Sequence, residues 1–102
     1  MYLIDPTNNG FFQDYARFVQ HEFCKGEPSE ITKDYTRTDG IWILNYVSWK
    51  NGVDKTIFQN GCQYIAIQTE DKHCLENQQY MQFLNKAIKV FHYFQRQVKT
   101  HL

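Results

Sequence analysis

Apolar residues recur along the chain with spacings that divide it into helical and strand-like segments. In the first segment they recur at intervals of four, three and four residues, which places them along one side of a helix. We therefore expect a first helix that begins at Pro6 or Asn9 and ends at Cys24, preceded by a short edge strand or ordered tail at Tyr2–Ile4. The residues of the helical stripe are Phe12, Ala16, Val19 and Phe23.

Two Asn-Gly pairs, Asn51-Gly52 and Asn60-Gly61, separate three short runs that are rich in aromatic and β-branched residues. An Asn-Gly pair between such runs is a strong indication of a β-hairpin, because a type I′ turn needs positive φ at both central residues. The sequence therefore predicts three antiparallel strands joined as a meander, the first of them over 41–50.

The two predicted turns also fix the register of the strands. Because side chains alternate along a strand, the register assigns each residue to one face of the sheet. One face is aliphatic and carries Ile41, Ile43, Val47, Trp49, Phe58, Ile65 and Ile67. The other face is aromatic and polar and carries Trp42, Leu44, Tyr46, Lys50, Lys55, Ile57, Tyr64 and Ala66.

A long C-terminal helix is predicted from Asp71 to Lys99. Its apolar residues alternate between spacings of four and three, which is typical of one narrow helical stripe. The stripe is about 27 Å long at about 1.5 Å per residue, close to the length of a nine-residue strand, so we expect it to pack on the sheet. Its members are Tyr80, Leu84, Ala87, Phe91, Phe94 and Val98.

The predicted fold class is α+β, with residues 1–102 forming a single domain in the order helix, three-stranded antiparallel meander, long C-terminal helix (αβββα). Both helices are expected to pack on the aliphatic sheet face. The aromatic face then stays open unless the polar segment 26–40 or a second chain covers it.

This order of elements resembles the topology of the double-stranded RNA-binding domain over residues 9–99. That family places a basic cluster at the start of its second helix, where it contacts phosphates. The matching stretch here, Glu70–Glu76, holds one lysine and three acidic residues. We therefore do not extend RNA binding to this chain.

Composition narrows the possible functions. Lysine plus arginine and aspartate plus glutamate both number 11, and a net charge of zero disfavours a general nucleic-acid binder. Three irregularly spaced cysteines do not indicate a disulfide framework. The sequence also predicts no signal peptide and no membrane-spanning helix. These features together favour a cytoplasmic protein with reduced thiols.

Residues that could catalyse a reaction or bind a metal form no established motif. His21 and Cys24 share one predicted helix, and His73 and Cys74 begin the next, but neither Cys-x-x-Cys nor His-x-x-x-His is present. Cys74 is expected to have a lowered pKa because it lies near a helix N-terminus. No oxyanion motif or phosphate-binding glycine loop accompanies it. We expect no metal, no cofactor and no enzymatic activity.

The aromatic sheet face is the strongest indication of function, since contiguous exposed apolar surface usually marks an interaction site. The predicted partner-binding residues are Trp42, Tyr46, Lys50, Lys55, Ile57 and Tyr64. The alternative is that this face is a second small core closed by Ile31 and Tyr35. A secondary surface is predicted on the outer side of the last helix, unless that side is simply solvated. Its residues are Lys86, Lys89, Tyr93 and Arg96.

Three functions remain compatible with the sequence. The first hypothesis is a non-catalytic protein-binding inhibitor that sterically blocks a toxin or a defence enzyme, such as a bacterial immunity protein or a phage-encoded anti-defence inhibitor. The second is a single-stranded nucleic-acid or nucleotide binder that stacks bases on Trp42, Tyr46 and Tyr64. The third is a small enzyme that pairs Cys74 or Cys24 with a histidine. A homodimer is compatible with each hypothesis.

Overall fold

The computed structural model describes residues 1–6 and 10–92, and its five paired strands form one all-parallel sheet. Across the sheet the strands lie in the order β2-β1-β3-β4-β5. The predicted antiparallel meander is therefore wrong, and the described chain has an α/β architecture. The strands are β1 (Tyr2–Ile4), β2 (Ser29–Ile31), β3 (Ile41–Leu44), β4 (Tyr64–Gln68) and β5 (Lys89–His92).

Helices lie in three of the four connections between successive strands. Between β1 and β2, α1 (Gly10–Phe18) continues into a π-helical turn over Val19–Phe23. The connection from β2 to β3, residues 32–40, contains no helix. The remaining helices are α2 (Tyr46–Lys50) and α3 (Val53–Gln59) between β3 and β4, and α4 (Lys72–Leu75) and α5 (Gln78–Lys86) between β4 and β5.

Each of the two Asn-Gly pairs ends a helix instead of forming a hairpin turn. Gly52 and Gly61 have φ values of +74° and +79°, whereas Asn51 and Asn60 have φ values of −88° and −85°. A type I′ turn requires positive φ at both positions. A single left-handed glycine just past the last helical turn is the usual C-terminal cap of a helix.

Hydrogen bonds at the end of α3 show the same cap. The Cys62 amide donates to the Ile57 carbonyl at 3.0 Å, and the Gly61 amide donates to the Phe58 carbonyl at 3.0 Å, which is the Schellman pattern. Val53 and Ile57 are both buried. A spacing of four residues keeps two side chains together on one side of a helix and also on one face of a strand. The apolar pattern of this segment was therefore compatible with either structure.

The predicted C-terminal helix is interrupted after Lys86. Ala87 has extended backbone angles, φ −65° and ψ 143°, and the Ile88 amide donates to the Tyr64 carbonyl at 2.9 Å. The residues that follow pair with the edge of β4 and form β5. Phe91, predicted in the helical stripe, therefore lies in a strand. The predicted continuation to Lys99, with Phe94 and Val98, lies outside the described residues.

Both faces of the sheet are covered, because successive residues of each strand point to opposite sides. The helices α2, α3 and α5 cover one face, and α1 with its π-helical turn covers the other. The first core includes Leu3, Trp42, Leu44, Val53, Ile57, Tyr64, Ala66, Tyr80, Phe83 and Leu84. The second core includes Ile4, Ala16, Val19, Cys24, Ile43, Ile65 and Ile67.

The strand β1, expected at an edge, lies between β2 and β3 inside the sheet. The chain therefore steps one way across the sheet from β1 to β2 and the opposite way from β2 onward. The first connection packs on the second core, and the others pack on the first core. Placing opposite steps on opposite faces is what a uniform handedness of parallel connections requires.

Candidate functional site

The six predicted partner-binding residues divide into a buried group and an accessible group. The exposed fractions of Trp42 and Ile57 are 0%, and that of Tyr64 is 2%. The open aromatic sheet face expected from the sequence is therefore absent, because α3 and α5 cover it. Lys50 and Lys55 are exposed, as predicted for binding residues, and Tyr46 is half-buried; the roles of these residues in binding stay predictions.

Segment 26–40 contributes to closing the sheet, as the alternative sequence interpretation expected. The Tyr35 ring lies 5.5 Å from the Trp42 ring, centroid to centroid, and the Trp42 indole N–H donates to the Arg37 carbonyl at 3.1 Å. Ile31, however, packs in the second core, on the opposite face of the sheet. The covering of the first core by this segment thus depends on Tyr35 and its neighbours.

Polar residues follow β1 and β3 at the point where the chain reverses its direction across the sheet. In parallel α/β sheets, ligands bind outside the carboxyl ends of the strands at such a point. Here the Tyr35 hydroxyl donates to Asp5 Oδ1 at 2.7 Å, and burial raises the pKa of Tyr35, so that this hydroxyl stays protonated as a donor. Asn45 caps the N-terminus of α2. The side chains of Asp5 and Asn45 therefore make structural hydrogen bonds at this edge of the sheet.

Asn45 also positions the first lysine of the candidate site. Its side-chain carbonyl accepts a hydrogen bond from the Ser48 amide at 2.9 Å, and the Ser48 hydroxyl accepts one from the Asn45 amide at 3.2 Å. This reciprocal pair is a capping box, which starts α2 directly after β3. The left-handed Gly52 then turns the chain into α3. Lys50 and Lys55 consequently lie on adjacent helices.

The helix α5 brings a third lysine to the same place. Tyr64 on β4 donates its hydroxyl hydrogen bond to the Phe83 carbonyl, and the Tyr80 hydroxyl donates to the buried side chain of Gln68. These bonds hold α5 against β4. Lys86, the last residue of α5, therefore lies beside α3.

Three lysines surround one cavity, which we call the lysine groove. Lys50 ends α2, Lys55 belongs to α3 and Lys86 ends α5, and the cavity between them has a volume of about 430 Å³. The cavity is large enough for a side-chain cluster or a small ligand. The other residues that line the lysine groove are Trp49, Gly52, Asp54, Gln79, Gln82 and Phe83.

A smaller cavity of about 210 Å³ adjoins the lysine groove and shares Asp54, Lys55 and Lys86 with it. Phe58 borders this cavity with 63% of its surface exposed. The Lys86 ammonium lies 5.8 Å from the centroid of the Phe58 ring, within the range of a cation–π contact. The aromatic ring of Phe58 and the ammonium group of Lys86 therefore lie side by side at this cavity.

Asp54 is the one acidic residue among those that line the two cavities. Its Oδ1 atom is buried and has no hydrogen-bond partner among the described residues. Burial raises the pKa of this carboxyl group, although the backbone amides of Lys55 and Asp54, and then the charges of Lys55 and Lys86, act in the opposite direction. Three cations against one partly buried carboxyl group give the groove a positive potential at neutral pH.

The predicted secondary surface is divided by the break after α5. Lys86 belongs to the lysine groove, whereas Lys89 lies on β5 with its ammonium 4.8 Å from the centroid of the Phe91 ring. Phe91 packs on the second core, on the other face of the sheet. The other two predicted members, Tyr93 and Arg96, lie outside the described residues.

Neither Cys74 nor Cys24 has the lowered pKa that is expected of a nucleophilic thiol. Burial and the charges of Glu70 and Asp71 raise the pKa of Cys74, so the expected lowering was wrong. The helix α4 has only four residues, so the helix dipole on which that expectation depended is small. Burial likewise raises the pKa of Cys24. Within residues 1–6 and 10–92, no group of three or more His, Cys, Asp or Glu side chains is arranged to hold a metal ion.

No protein-family model, curated protein or solved structure matches the chain. In the part of the chain that the structure describes, no helix has the length and apolar character needed to cross a bilayer. A functional inference therefore depends on the geometry of the surface itself, and the lysine groove is its most distinctive feature.

Sequence reasoning identified Lys50 and Lys55 together but assigned Lys86 to a different surface. It also placed Trp49 and Phe58 on a buried sheet face, whereas Trp49 lines the groove and Phe58 is exposed. The signal that was available for Lys50 and Lys86 is a lysine at the C-terminal end of a helix, where the helix dipole favours a cation. That signal becomes informative only once the helices themselves are known.

Proposed function

We propose that this protein is a non-catalytic binding protein that inhibits a partner protein by covering an acidic surface at the partner's functional site. This role corresponds to that of a bacterial immunity protein or a phage-encoded anti-defence inhibitor. The observation that carries the proposal is the convergence of Lys50, Lys55 and Lys86 on one groove that contains a single carboxyl group.

The physical basis of the proposal is electrostatic complementarity. A cationic groove attracts a negatively charged surface, increases the rate of association and orients the two proteins. The net charge of the whole chain is zero, so this attraction is local to the groove. Trp49 at the groove and Phe58 beside it add aromatic surface, which is enriched in the energetically dominant part of protein interfaces.

The structure gives less support to the nucleic-acid alternative. That hypothesis required bases to stack on Trp42 and Tyr64, and both side chains are buried beneath helices. Tyr46 alone remains half-buried, with the Lys50 ammonium 5.7 Å from its ring centroid. Binding of a protein does not require an exposed aromatic surface on which bases stack. Protein binding is therefore the function that the groove supports best.

The proposal is tested by reversing the charge of the groove. The variant Lys50→Glu/Lys55→Glu/Lys86→Glu and a matched variant, Lys25→Glu/Lys33→Glu/Lys72→Glu, change the net charge equally. The control residues are exposed and lie outside both cavities. Each protein is immobilised, a native host lysate is passed over it at low salt, and retained proteins are quantified by mass spectrometry.

We expect wild type and the control variant to retain the same protein, and the groove variant to retain at least tenfold less of it. Retention by wild type is expected to fall as salt rises, since surface charges are screened. The activity of the retained protein is then measured with and without added wild type, and inhibition is expected. Equal retention by the groove variant, or undiminished activity of the captured protein, would contradict the proposal.

A further inference from the structure

We propose that Phe58 is the apolar anchor of this binding surface, and that the partner protein presents an apolar pocket bordered by carboxylates to receive it. The inference depends on the proposed function, because it describes the partner of the same surface. It adds which side chain enters the partner and what chemistry surrounds the entry point.

The exposure of Phe58 is the first observation. The exposed fraction of Phe58 is 63%. This is larger than the exposed fractions of the other exposed large apolar residues among those described, which are 49% for Phe18, 48% for Ile88 and 42% for Met1. The preceding residue, Ile57, is fully buried. Successive residues on a helix point about 100° apart, so α3 is anchored by Ile57 and directs Phe58 outward. Exposed aromatic side chains of this kind supply the anchors of many interfaces.

The lysines around Phe58 define the partner's chemistry. Lys86 lies over the ring, and Lys55 borders the same cavity of about 210 Å³. When a partner covers the ring, water is removed from the neighbouring ammonium groups, and each then needs an anionic group to replace that water. Asp54 supplies the only carboxyl group in the lining of that cavity. The remaining positive charge therefore selects a pocket with carboxylates at its border.

The test uses a photo-crosslinking residue at the position of the anchor. p-Benzoylphenylalanine replaces Phe58 in one variant and Phe18 in a matched variant, and both full-length proteins are irradiated in native host cells. Phe18 is also an exposed phenylalanine, but it lies on α1, on the opposite face of the sheet. The crosslinked peptide of the partner is identified by mass spectrometry.

We expect an adduct from position 58 and not from position 18, with apolar residues and Asp or Glu in the crosslinked peptide. The adduct is expected to disappear when Lys55→Glu and Lys86→Glu are added. An adduct to a second copy of this chain, to a peptide without acidic residues, to nucleic acid, or from position 18 alone would overturn the inference. The absence of any adduct from position 58 would overturn it as well.

A second measurement separates this inference from the proposed function. The affinity of the captured protein is measured for wild type, Phe58→Ala and Phe18→Ala, each with its melting temperature determined. We expect Phe58→Ala to bind about tenfold or more weakly and Phe18→Ala to bind within about twofold of wild type, with little change in melting temperature for the Phe58 variant. If Phe58→Ala binds normally while the groove variant does not, the anchor is wrong and the proposed function stands. If neither change affects binding, both are wrong.

Discussion

Replacing Gly52 by alanine tests the helix cap on which the position of the lysine groove depends. Gly52 has φ +74°, and a Cβ built on it meets no atom within 4 Å. The substitution therefore introduces no steric overlap with the rest of the protein. Its cost comes from the left-handed backbone alone, where an L-residue is disfavoured by about 1–2 kcal/mol.

Asn51 provides the matched comparison. Its φ of −88° and ψ of 2° are ordinary values for alanine. We expect Asn51→Ala to change the free energy of unfolding by less than about 0.5 kcal/mol, as most surface substitutions do. In a type I′ hairpin turn both residues have positive φ, and both substitutions would then be costly. The pair of variants thus distinguishes a helix end from a hairpin.

The assay is urea unfolding monitored by circular dichroism, and thermal unfolding is measured in parallel. For Gly52→Ala we expect a loss of about 1–2 kcal/mol in the free energy of unfolding. Each 1 kcal/mol lost lowers the melting temperature of a domain of about this size by about 4–8 °C. The dependence of the free energy on urea concentration should stay the same, because the native surface does not change. Equal losses for Asn51→Ala and Gly52→Ala would refute the reasoning.

Two further predictions concern the core and the groove. Trp42→Ala is expected to lower the free energy of unfolding by about 3–5 kcal/mol, because the indole is fully buried; a loss below about 1 kcal/mol in urea unfolding would show that the side chain is not part of the core. Burial raises the pKa of Asp54 in the folded protein above its value in the unfolded chain. The protonated carboxyl group therefore favours the folded state at a pH below both pKa values, and this contribution to stability is lost as the pH rises through the pKa of the folded state. We therefore expect the stability of Asp54→Asn relative to wild type to increase from about pH 4 to pH 7; a difference that is independent of pH would contradict this cause.

Several local features were readable from the sequence. The apolar stripe predicted the helix that contains Ala16 and Val19, both of which are buried. Asp71 was expected to cap a helix, and its side chain does accept a hydrogen bond from the Cys74 amide at 3.3 Å. Runs rich in aromatic and β-branched residues predicted one strand over 41–50 and another after Asn60-Gly61. The structure has strands at Ile41–Leu44 and Tyr64–Gln68, the first of them shorter than predicted. Each of these signals acts over a few neighbouring residues.

The pairing of the strands was not readable, because parallel neighbours are joined by long connections that leave no local turn signal. In the register of the sheet, Leu3 lies beside Trp42 and Ala66 lies beside Val90. Asn-Gly fits both a hairpin and a helix end, so its meaning depends on what the neighbouring segments contact. The two hairpin turns predicted at these pairs were wrong, and the antiparallel meander predicted from them was wrong for the same reason.

The sequence by itself determined where the chain bends, which short segments are amphipathic and which residues carry charge. The tertiary structure alone decided that segment 46–59 is helical, that Lys89–His92 extends the sheet, and that Trp42 is covered while Phe58 is exposed. The physical reason is that local hydrogen bonds and spacing act between near neighbours, whereas burial depends on distant residues. The lysine groove joins three helices and therefore exists only in the folded protein.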